Sequence, residues 1–175
     1  MMKSFLNPLE ILRQLKLRND IIAIDFGCGS GGWVIPLAKT LEQGIVYALD
    51  VLEEPLSVLR STMAFEKIKN IRIIRSNIEN KSGSTLSDAS VDLVLMTNLL
   101  FQIDNKKEVF LEAKRILKNK GKILVIDWKE DFSQGPEKNK VSEKEIKKIA
   151  NDLDFNLEKE FVAGIYHYGL IFEKS

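Results

Sequence analysis

A glycine-rich segment at residues 27–32 has the residue types best suited to binding a ligand. Four of its six residues are glycine, and it follows the run at 21–26, which predicts a strand buried on both faces. Glycines allow a tight turn and leave backbone N–H groups open to a ligand, at a helix start that favours a negative group. The strand carries one acid, Asp25, two residues before the first glycine. We therefore expect a ligand at this turn.

Polar residues at the ends of three later predicted strands are candidates for the same site. The apolar runs at 45–50, 71–76 and 91–97 predict strands that alternate with helices or loops. Such alternation predicts a parallel sheet, whose ligands bind outside the carboxyl ends of the strands. The polar residues expected at that edge are Asp50, Asn77 and Asn98.

The rest of the chain completes the predicted sheet. Strands are expected at 122–127, 155–163 and 166–173, and the short connection at Gly164 allows only an antiparallel pair for the last two. Helices are expected to begin after the Asn7 cap, at residue 54 and after the Ser142 cap, and to span 33–41 and 106–118. A helix stop and a turn are expected at 119–121. The predicted fold class is α/β: a doubly wound, seven-stranded, mostly parallel sheet with an antiparallel C-terminal hairpin, in three α/β/α layers.

Composition limits the classes of function. The chain has 175 residues, 45% of them hydrophobic, which predicts a single domain over 1–175, with an N-terminal helix in 1–20 and the core in 21–175. A net charge of +1 gives no indication of a nucleic-acid partner. One cysteine and one histidine exclude a disulfide framework and make a metal site unexpected. No segment is typical of a signal peptide or membrane span, so the expected location is cytoplasmic and no membrane partner is expected.

The segment 25–31, an acid followed by Gly-Cys-Gly-x-Gly, is similar to the leading motif of class I, Rossmann-like S-adenosylmethionine-dependent methyltransferases. Asp50, the Val-Asp-Leu-Val at 91–94, and the segments 115–118 and 121–127 support the resemblance. The sequence resembles the small-molecule group of this family from about residue 21 to residue 173. The resemblance implies an enzyme with S-adenosylmethionine as cofactor, which transfers a methyl group to an O, N or C nucleophile, with a small molecule as the acceptor.

The same resemblance implies the cofactor contacts. Asp25 would lie near the ammonium group, Asp50 would accept from the ribose hydroxyls, and Val51 would cover one adenine face. Asn77 stands where the family usually has Asp, so its contact with adenine loses charge assistance. The implied cofactor-binding residues are Asp25, Gly27, Cys28, Gly29, Ser30, Gly31, Asp50, Val51, Asn77, Ile78, Asn98 and Leu99.

No motif marks a general base, which methyl transfer needs only when the nucleophile arrives protonated. The candidates near the edge of the sheet are His167, Tyr166, Tyr168 and Asp127. We select His167 as the candidate catalytic residue, because imidazole has a suitable pKa and the residue is expected at a hairpin tip. The segment before the first predicted strand and the one after the fifth are both short. We therefore expect an open acceptor site, and we expect the protein to be a monomer or a homodimer.

Two other functions fit parts of the sequence. Gly27-x-Gly29-x-x-Gly32 also satisfies the nicotinamide dinucleotide fingerprint, which keeps an NAD(P)-dependent oxidoreductase as an alternative. Asp25, the closing hairpin and the lack of a substrate domain argue against it. A non-catalytic S-adenosylmethionine-binding protein is the other alternative, since Asn77 and the lack of a marked base leave turnover open.

Overall fold

The computed structural model describes residues 6–136 and 139–175. Its strands are β1 (Ile22–Phe26), β2 (Ile45–Asp50), β3 (Ile71–Arg75), β4 (Val91–Thr97), β5 (Leu117–Trp128), β6 (Phe155–Ala163) and β7 (His167–Lys174). Its helices are α1 (Pro8–Gln14), α2 (Val34–Thr40), α3 (Glu53–Phe65), α4 (Lys106–Ile116) and α5 (Glu143–Asp152), with a 3-10 turn at Leu100–Gln102.

All seven strands form one sheet, in the order β3-β2-β1-β4-β5-β7-β6. Strands β1 to β5 pair in parallel, whereas β7 is antiparallel to both β5 and β6. Because β7 runs backwards, its first residue lies at the same edge as the last residue of β5, and Trp128 pairs with His167. The predicted fold class is confirmed, and the hairpin tip lies at the edge expected to bind ligands.

Buried apolar side chains cover both faces of the sheet. One cluster joins α1, α2 and α3 to the sheet and includes Leu12, Leu37 and Leu59. The cluster on the other face joins α4 and α5 to the sheet and includes Phe110 and Ile146. The sheet is therefore the middle of three layers, and only its edges are open to ligands.

The prediction of a helix stop and a turn at 119–121 is wrong in its position. Helix α4 already ends at Ile116, and β5 begins at Leu117, which pairs with Val91. The register then shifts before Leu93 pairs with Lys122, and Lys120 has a φ of +63°. Residues 119–121 thus form an irregularity inside a long strand, because β5 pairs with β4 on both sides of them.

Two predicted helix caps are confirmed. Oδ1 of Asn7 accepts a hydrogen bond of 3.1 Å from the Leu9 backbone N–H at the start of α1. Oγ of Ser142 accepts one of 3.1 Å from the Glu145 N–H at the start of α5. Each cap satisfies an N–H that has no partner within its helix. Among residues 6–136 and 139–175, no helix has the length and apolar character needed to cross a membrane.

Candidate functional site

The glycine turn is attached to the end of β2. The backbone N–H groups of Gly27 and Cys28 both donate to the carbonyl oxygen of Leu49, at 2.8 and 2.9 Å. The next N–H, that of Gly29, donates to Oδ2 of Asp50 at 2.8 Å. These bonds hold the turn and the last residues of β2 in one arrangement.

The conformation of Gly27 explains why a side chain is excluded there. Its φ is +71°, in the left-handed region that favours glycine. A Cβ at this position would lie 2.7 Å from Cδ1 of Leu99. The turn therefore lies against the Leu99 side chain, which would have to move if residue 27 carried a Cβ.

A cavity of about 370 Å³ lies beside this turn, at the carboxyl ends of β1 to β4. Seven of the twelve predicted cofactor-binding residues line it: Gly27, Gly29, Asp50, Val51, Asn77, Ile78 and Leu99. The other five do not line it, although they lie in the same turn or at the ends of β1 and β4: Asp25, Cys28, Ser30, Gly31 and Asn98. The structure thus brings together predicted residues from four separate strand ends.

Asp50 is the last residue of β2, and backbone N–H groups orient both of its carboxylate oxygens. Oδ2 accepts from Gly29, and Oδ1 accepts from the Leu52 N–H at 3.0 Å. The residue is buried and also lines the cavity. Each oxygen has a further lone pair that can accept a hydrogen bond from a ligand.

Asp25 is buried without any hydrogen-bond partner. It is 1% exposed, and neither Oδ1 nor Oδ2 is paired within the described residues. Burial, with a contribution from the charge of Asp50, raises the pKa of Asp25 well above its usual range. Buried polar groups are nearly always paired, so an unpaired carboxyl next to a glycine turn indicates a place for a cationic ligand group. The residues present therefore fit a ligand with an ammonium group at this end.

Cys28 is part of the turn but is not suited to nucleophilic chemistry. Its thiol is buried, and burial together with the charges of Asp25 and Asp50 raises its pKa. A thiol that stays protonated is a poor nucleophile. The residue therefore fills space in the turn.

Asn77 and Glu79 form the far wall of the cavity. Oδ1 of Asn77 accepts from the Glu79 N–H at 2.9 Å. Oε1 of Glu79 accepts from the N–H groups of Asp104 and Asn105, both at 3.1 Å, and so joins the loop after β3 to the start of α4. Sequence reasoning missed Glu79, because its partners are 25 and 26 residues away and no motif links the two loops.

The four candidate bases have different environments. Asp127 accepts from the N–H groups of Leu100 and Trp128, at 2.9 and 2.8 Å, and burial raises its pKa to about 6. Tyr168 is buried and donates its hydroxyl to the carbonyl oxygen of Val141 at 2.9 Å. Both side chains therefore already have hydrogen-bond partners in the backbone.

His167 lies apart from the cavity, at the first residue of β7. It is 6% exposed, its ring centroid is 4.1 Å from that of Trp128, and Nε2 has no partner in the described part of the chain. Burial, with a contribution from Lys129, lowers its pKa to about 4. The imidazole is therefore neutral at physiological pH. The fourth candidate, Tyr166, packs edge-on against Phe132 at 5.4 Å.

Comparison with known proteins identifies the family. A family model described as a methyltransferase domain matches residues 17–165, most of the chain. The chain belongs to this methyltransferase family. A solved structure of an S-adenosylmethionine-dependent methyltransferase from Aquifex aeolicus is similar over 98% of this chain and 91% of its own, with a TM-score of 0.89 and 26% identity. The resemblance to class I methyltransferases is thereby confirmed.

Two curated relatives of this methyltransferase family align over shorter segments. A probable cobalt-precorrin-6B C(15)-methyltransferase (decarboxylating) of Methanocaldococcus jannaschii is 37% identical over 67 residues, which are 38% of this chain and 36% of the relative. A demethylmenaquinone methyltransferase of Shouchella clausii is 29% identical over 119 residues, 67% of this chain and 49% of the relative. The chain thus spans less than half the length of either relative.

Proposed function

We propose that this chain is an enzyme that transfers the methyl group of S-adenosylmethionine to a nucleophile on a small molecule. The observation that carries the proposal is the unpaired, buried carboxyl of Asp25 beside a glycine turn whose Gly29 amide orients Asp50. S-adenosylmethionine has an ammonium group and ribose hydroxyls, which need an anionic partner and hydrogen-bond acceptors, respectively. The family match and the Aquifex aeolicus structure support the same cofactor.

The proposed cofactor contacts follow the order of the strands. Asp25 would pair with the ammonium group, and the backbone at 27–31, including Cys28 and Ser30, would follow the methionyl part. Asp50 would accept from the ribose hydroxyls, because its carboxylate is already oriented at the cavity wall. Val51 and Ile78 would contact adenine beside Asn77. Asn98 and Leu99 would lie near the reactive methyl.

The reaction that we propose is an in-line displacement. When bound, S-adenosylmethionine would supply the methyl group and a leaving group, because its sulfur would keep the electron pair of the broken carbon–sulfur bond while a lone pair of the acceptor forms the new bond. Holding the nucleophile and the methyl group in line supplies up to about 7–11 kcal/mol of the barrier reduction. His167 is the proposed group that receives a proton, when the acceptor has one to lose, because its Nε2 is unpaired. Its pKa of about 4 is lower than the ordinary imidazole value on which its selection from the sequence rested, so it accepts a proton less readily than expected.

The charge of the cavity argues against the oxidoreductase alternative. Its lining includes the acids Asp50 and Glu79, and no Lys, Arg or His is among the described residues that form it. Backbone N–H groups of a glycine turn can bind the pyrophosphate of a dinucleotide without a cation, but the two acids add no attraction for it. A sulfonium cofactor carries positive charge, which such a cavity favours.

Calorimetric titration of the purified chain tests the proposal. We expect binding of S-adenosylhomocysteine and none of NAD, because only the former has an ammonium group to pair with the unpaired carboxyl of Asp25. Tight binding of NAD with no response to S-adenosylhomocysteine would overturn the proposal. Transfer of a labelled methyl group from S-adenosylmethionine to members of a metabolite panel then separates the enzyme from a protein that only binds the cofactor.

The partner that we propose is a small-molecule acceptor, for a monomer or homodimer in the cytoplasm. The names of the two curated relatives, which refer to a cobalt-precorrin and to demethylmenaquinone, support a small-molecule acceptor rather than a macromolecule. The net charge of +1 gives no support for a nucleic-acid partner.

A further inference from the structure

We propose that Glu79, rather than Asn77, accepts a hydrogen bond from the 6-amino group of the cofactor's adenine. Glu79 would then make the cavity select an adenine base over a base with oxygen at position 6. The inference rests on the proposed function, because it names the residue that recognises the base of the same cofactor.

The side-chain oxygen of Asn77 already has a partner within its own turn. Oδ1 accepts a 2.9 Å hydrogen bond from the Glu79 backbone N–H. The backbone of this turn is closely packed, since a Cβ on Gly83 would lie 2.4 Å from the Asn77 carbonyl oxygen. The orientation that gives Oδ1 to the backbone leaves Nδ2 for a ligand, and Nδ2 only donates hydrogen bonds. Asn77 therefore suits a ring nitrogen of adenine, which accepts, and not the amino group.

Glu79 is the acid of the same cavity wall, and the fold orients its carboxylate. Oε1 accepts from the N–H groups of Asp104 and Asn105, both at 3.1 Å, at the start of α4. The residue is half-buried and lines the cavity. Those two bonds leave Oε2 for a ligand, and a carboxylate oxygen only accepts hydrogen bonds. An amino group that donates is its matching partner.

Apolar side chains between Glu79 and the end of β2 fit the flat ring that carries the amino group. Val51 and Leu52 line the cavity just after β2, although they are 53% and 61% exposed. Ile78 and Ile103 are buried and line it beside Glu79. A base between these two sets would cover the exposed side chains and would present its polar edge to Glu79.

Two other polar side chains of the cavity are directed elsewhere. Asp50 is bonded to the glycine turn through Gly29, where we place the ribose. Gln102 donates Nε2 to the Asn98 carbonyl oxygen at 3.0 Å, so its amide is directed towards the end of β4. A carboxylate also forms stronger hydrogen bonds than a neutral amide does. Glu79 is therefore the acceptor that best fits the amino group.

Two ligands that differ at position 6 of the base test the assignment. S-adenosylhomocysteine has an amino group there, whereas S-inosylhomocysteine has an oxygen, which would meet the Glu79 carboxylate as acceptor against acceptor. We expect calorimetry of the wild type to show about 5- to 150-fold tighter binding of the amino compound, the discrimination that a paired base edge gives. Equal affinities for the two compounds would overturn the inference.

Glu79→Gln separates recognition of the base from the structural role of the side chain. Glutamine keeps an oxygen for the N–H groups of Asp104 and Asn105, but its Nε2 donates where the carboxylate accepted. We therefore expect the preference for the amino compound to disappear or to reverse. A purely structural role would weaken both ligands equally, and an unchanged affinity ratio would contradict the inference.

Glu108→Gln is the matched control for this variant. It also removes a negative charge near the start of α4, at an exposed residue that does not line the cavity. We expect it to keep the wild-type ratio of the two affinities. A change of the ratio as large as that in Glu79→Gln would show that charge alone, and not contact with the base, sets the preference.

Asn77→Asp decides between the two residues, even if Glu79→Gln fails to fold. If residue 77 accepted from the amino group, a carboxylate there would strengthen the bond and S-adenosylhomocysteine would bind more tightly. If Glu79 accepts, the change removes the N–H that pairs with the ring nitrogen, so we expect binding about 2- to 12-fold weaker, the loss of one ordinary hydrogen bond. Equal or tighter binding would assign the amino group to residue 77 and refute the inference.

The failure of the two proposals can be told apart. If S-adenosylhomocysteine does not bind to the folded wild-type chain, the proposed function fails. If it binds but the chain does not distinguish it from S-inosylhomocysteine, only the assignment of Glu79 fails.

Discussion

The backbone N–H of Gly29 donates a 2.8 Å hydrogen bond to Oδ2 of Asp50, which joins the glycine turn to the end of β2. The two residues are 21 positions apart in the chain. The same carboxylate is held at Oδ1 by Leu52. Asp50 is therefore oriented before a ligand arrives, so that less conformational freedom is lost on binding.

Replacement of Asp50 should weaken cofactor binding. Asp50→Asn removes the charge from the bonds to the ribose, and hydrogen bonds to charged groups contribute about 1.5–3 kcal/mol each. We expect S-adenosylhomocysteine to bind about 10- to 150-fold more weakly, measured by calorimetry. Glu53→Gln is the control, since it removes a negative charge nearby from a residue that pairs with Arg60 and does not line the cavity. Equal losses in both variants would contradict a direct contact.

The sequence was sufficient to predict the edge where the site lies. Asp50 ends one apolar run and Asn77 follows another, and parallel strands bring such positions together whatever the details of packing. Both line the observed cavity. The same logic located His167 at the hairpin tip, because a short connection can only reverse the chain.

Features that depend on contacts between distant loops could not be predicted. Glu79 closes the cavity through backbone groups of Asp104 and Asn105, and these contacts exist only after the sheet has formed. The early start of β5 has the same cause, since pairing of Leu117 with Val91 overrides the local turn signal at 119–121. The sequence also does not reveal that Asp25 is unpaired, because that property depends on all the groups around it.

The cofactor affinity should increase with pH through Asp25. Its pKa is raised, so the carboxyl is protonated in the free protein over a range where an ordinary Asp is ionised. An ammonium group favours the ionised form, so binding releases a proton. We expect the affinity for S-adenosylhomocysteine to rise by at most about tenfold per pH unit, for as long as the ligand amine stays protonated.

Calorimetry in two buffers of different ionisation enthalpy measures that proton release. Asp25→Asn should show no release and no pH dependence over the same range. A second control is 5′-methylthioadenosine, which lacks the ammonium group and should bind the wild type equally at each pH. A pH dependence that survives in Asp25→Asn would assign the effect to another group.

A methyl group at Gly27 should disturb both the turn and the cavity. In Gly27→Ala the new Cβ would meet Leu99 at 2.7 Å, with φ at +71°. The left-handed conformation alone costs about 1–2 kcal/mol for a residue other than glycine. We expect a lower melting temperature and loss of S-adenosylhomocysteine binding. Gly32→Ala is the control, because a Cβ there has no neighbour within 4 Å. An equal effect of both substitutions would show that the contact with Leu99 does not matter.

The stability of the protein should depend on pH through His167. Its pKa falls from 6.5 to about 4 on folding, because the ring is buried and Lys129 lies near it. Between these values the unfolded chain binds a proton that the folded chain does not, so stability decreases as the pH falls from 6.5 towards 4.

The corresponding change in the free energy of unfolding is about 3 kcal/mol at 1.36 kcal/mol per pH unit. Asp127 acts in the opposite direction, since its pKa is raised to about 6 and its ionisation destabilises the fold as the pH rises. The raised pKa of Asp25 acts in the same direction as that of Asp127, so the wild-type profile alone mixes the effects of several groups. Comparison with His167→Gln isolates the imidazole, because the variant keeps Asp127.

We expect urea unfolding to show that the wild type gains stability relative to this variant from pH 4 to 6.5, with a constant difference above pH 7. A difference that stays constant over the whole range would show that His167 titrates normally in the folded protein.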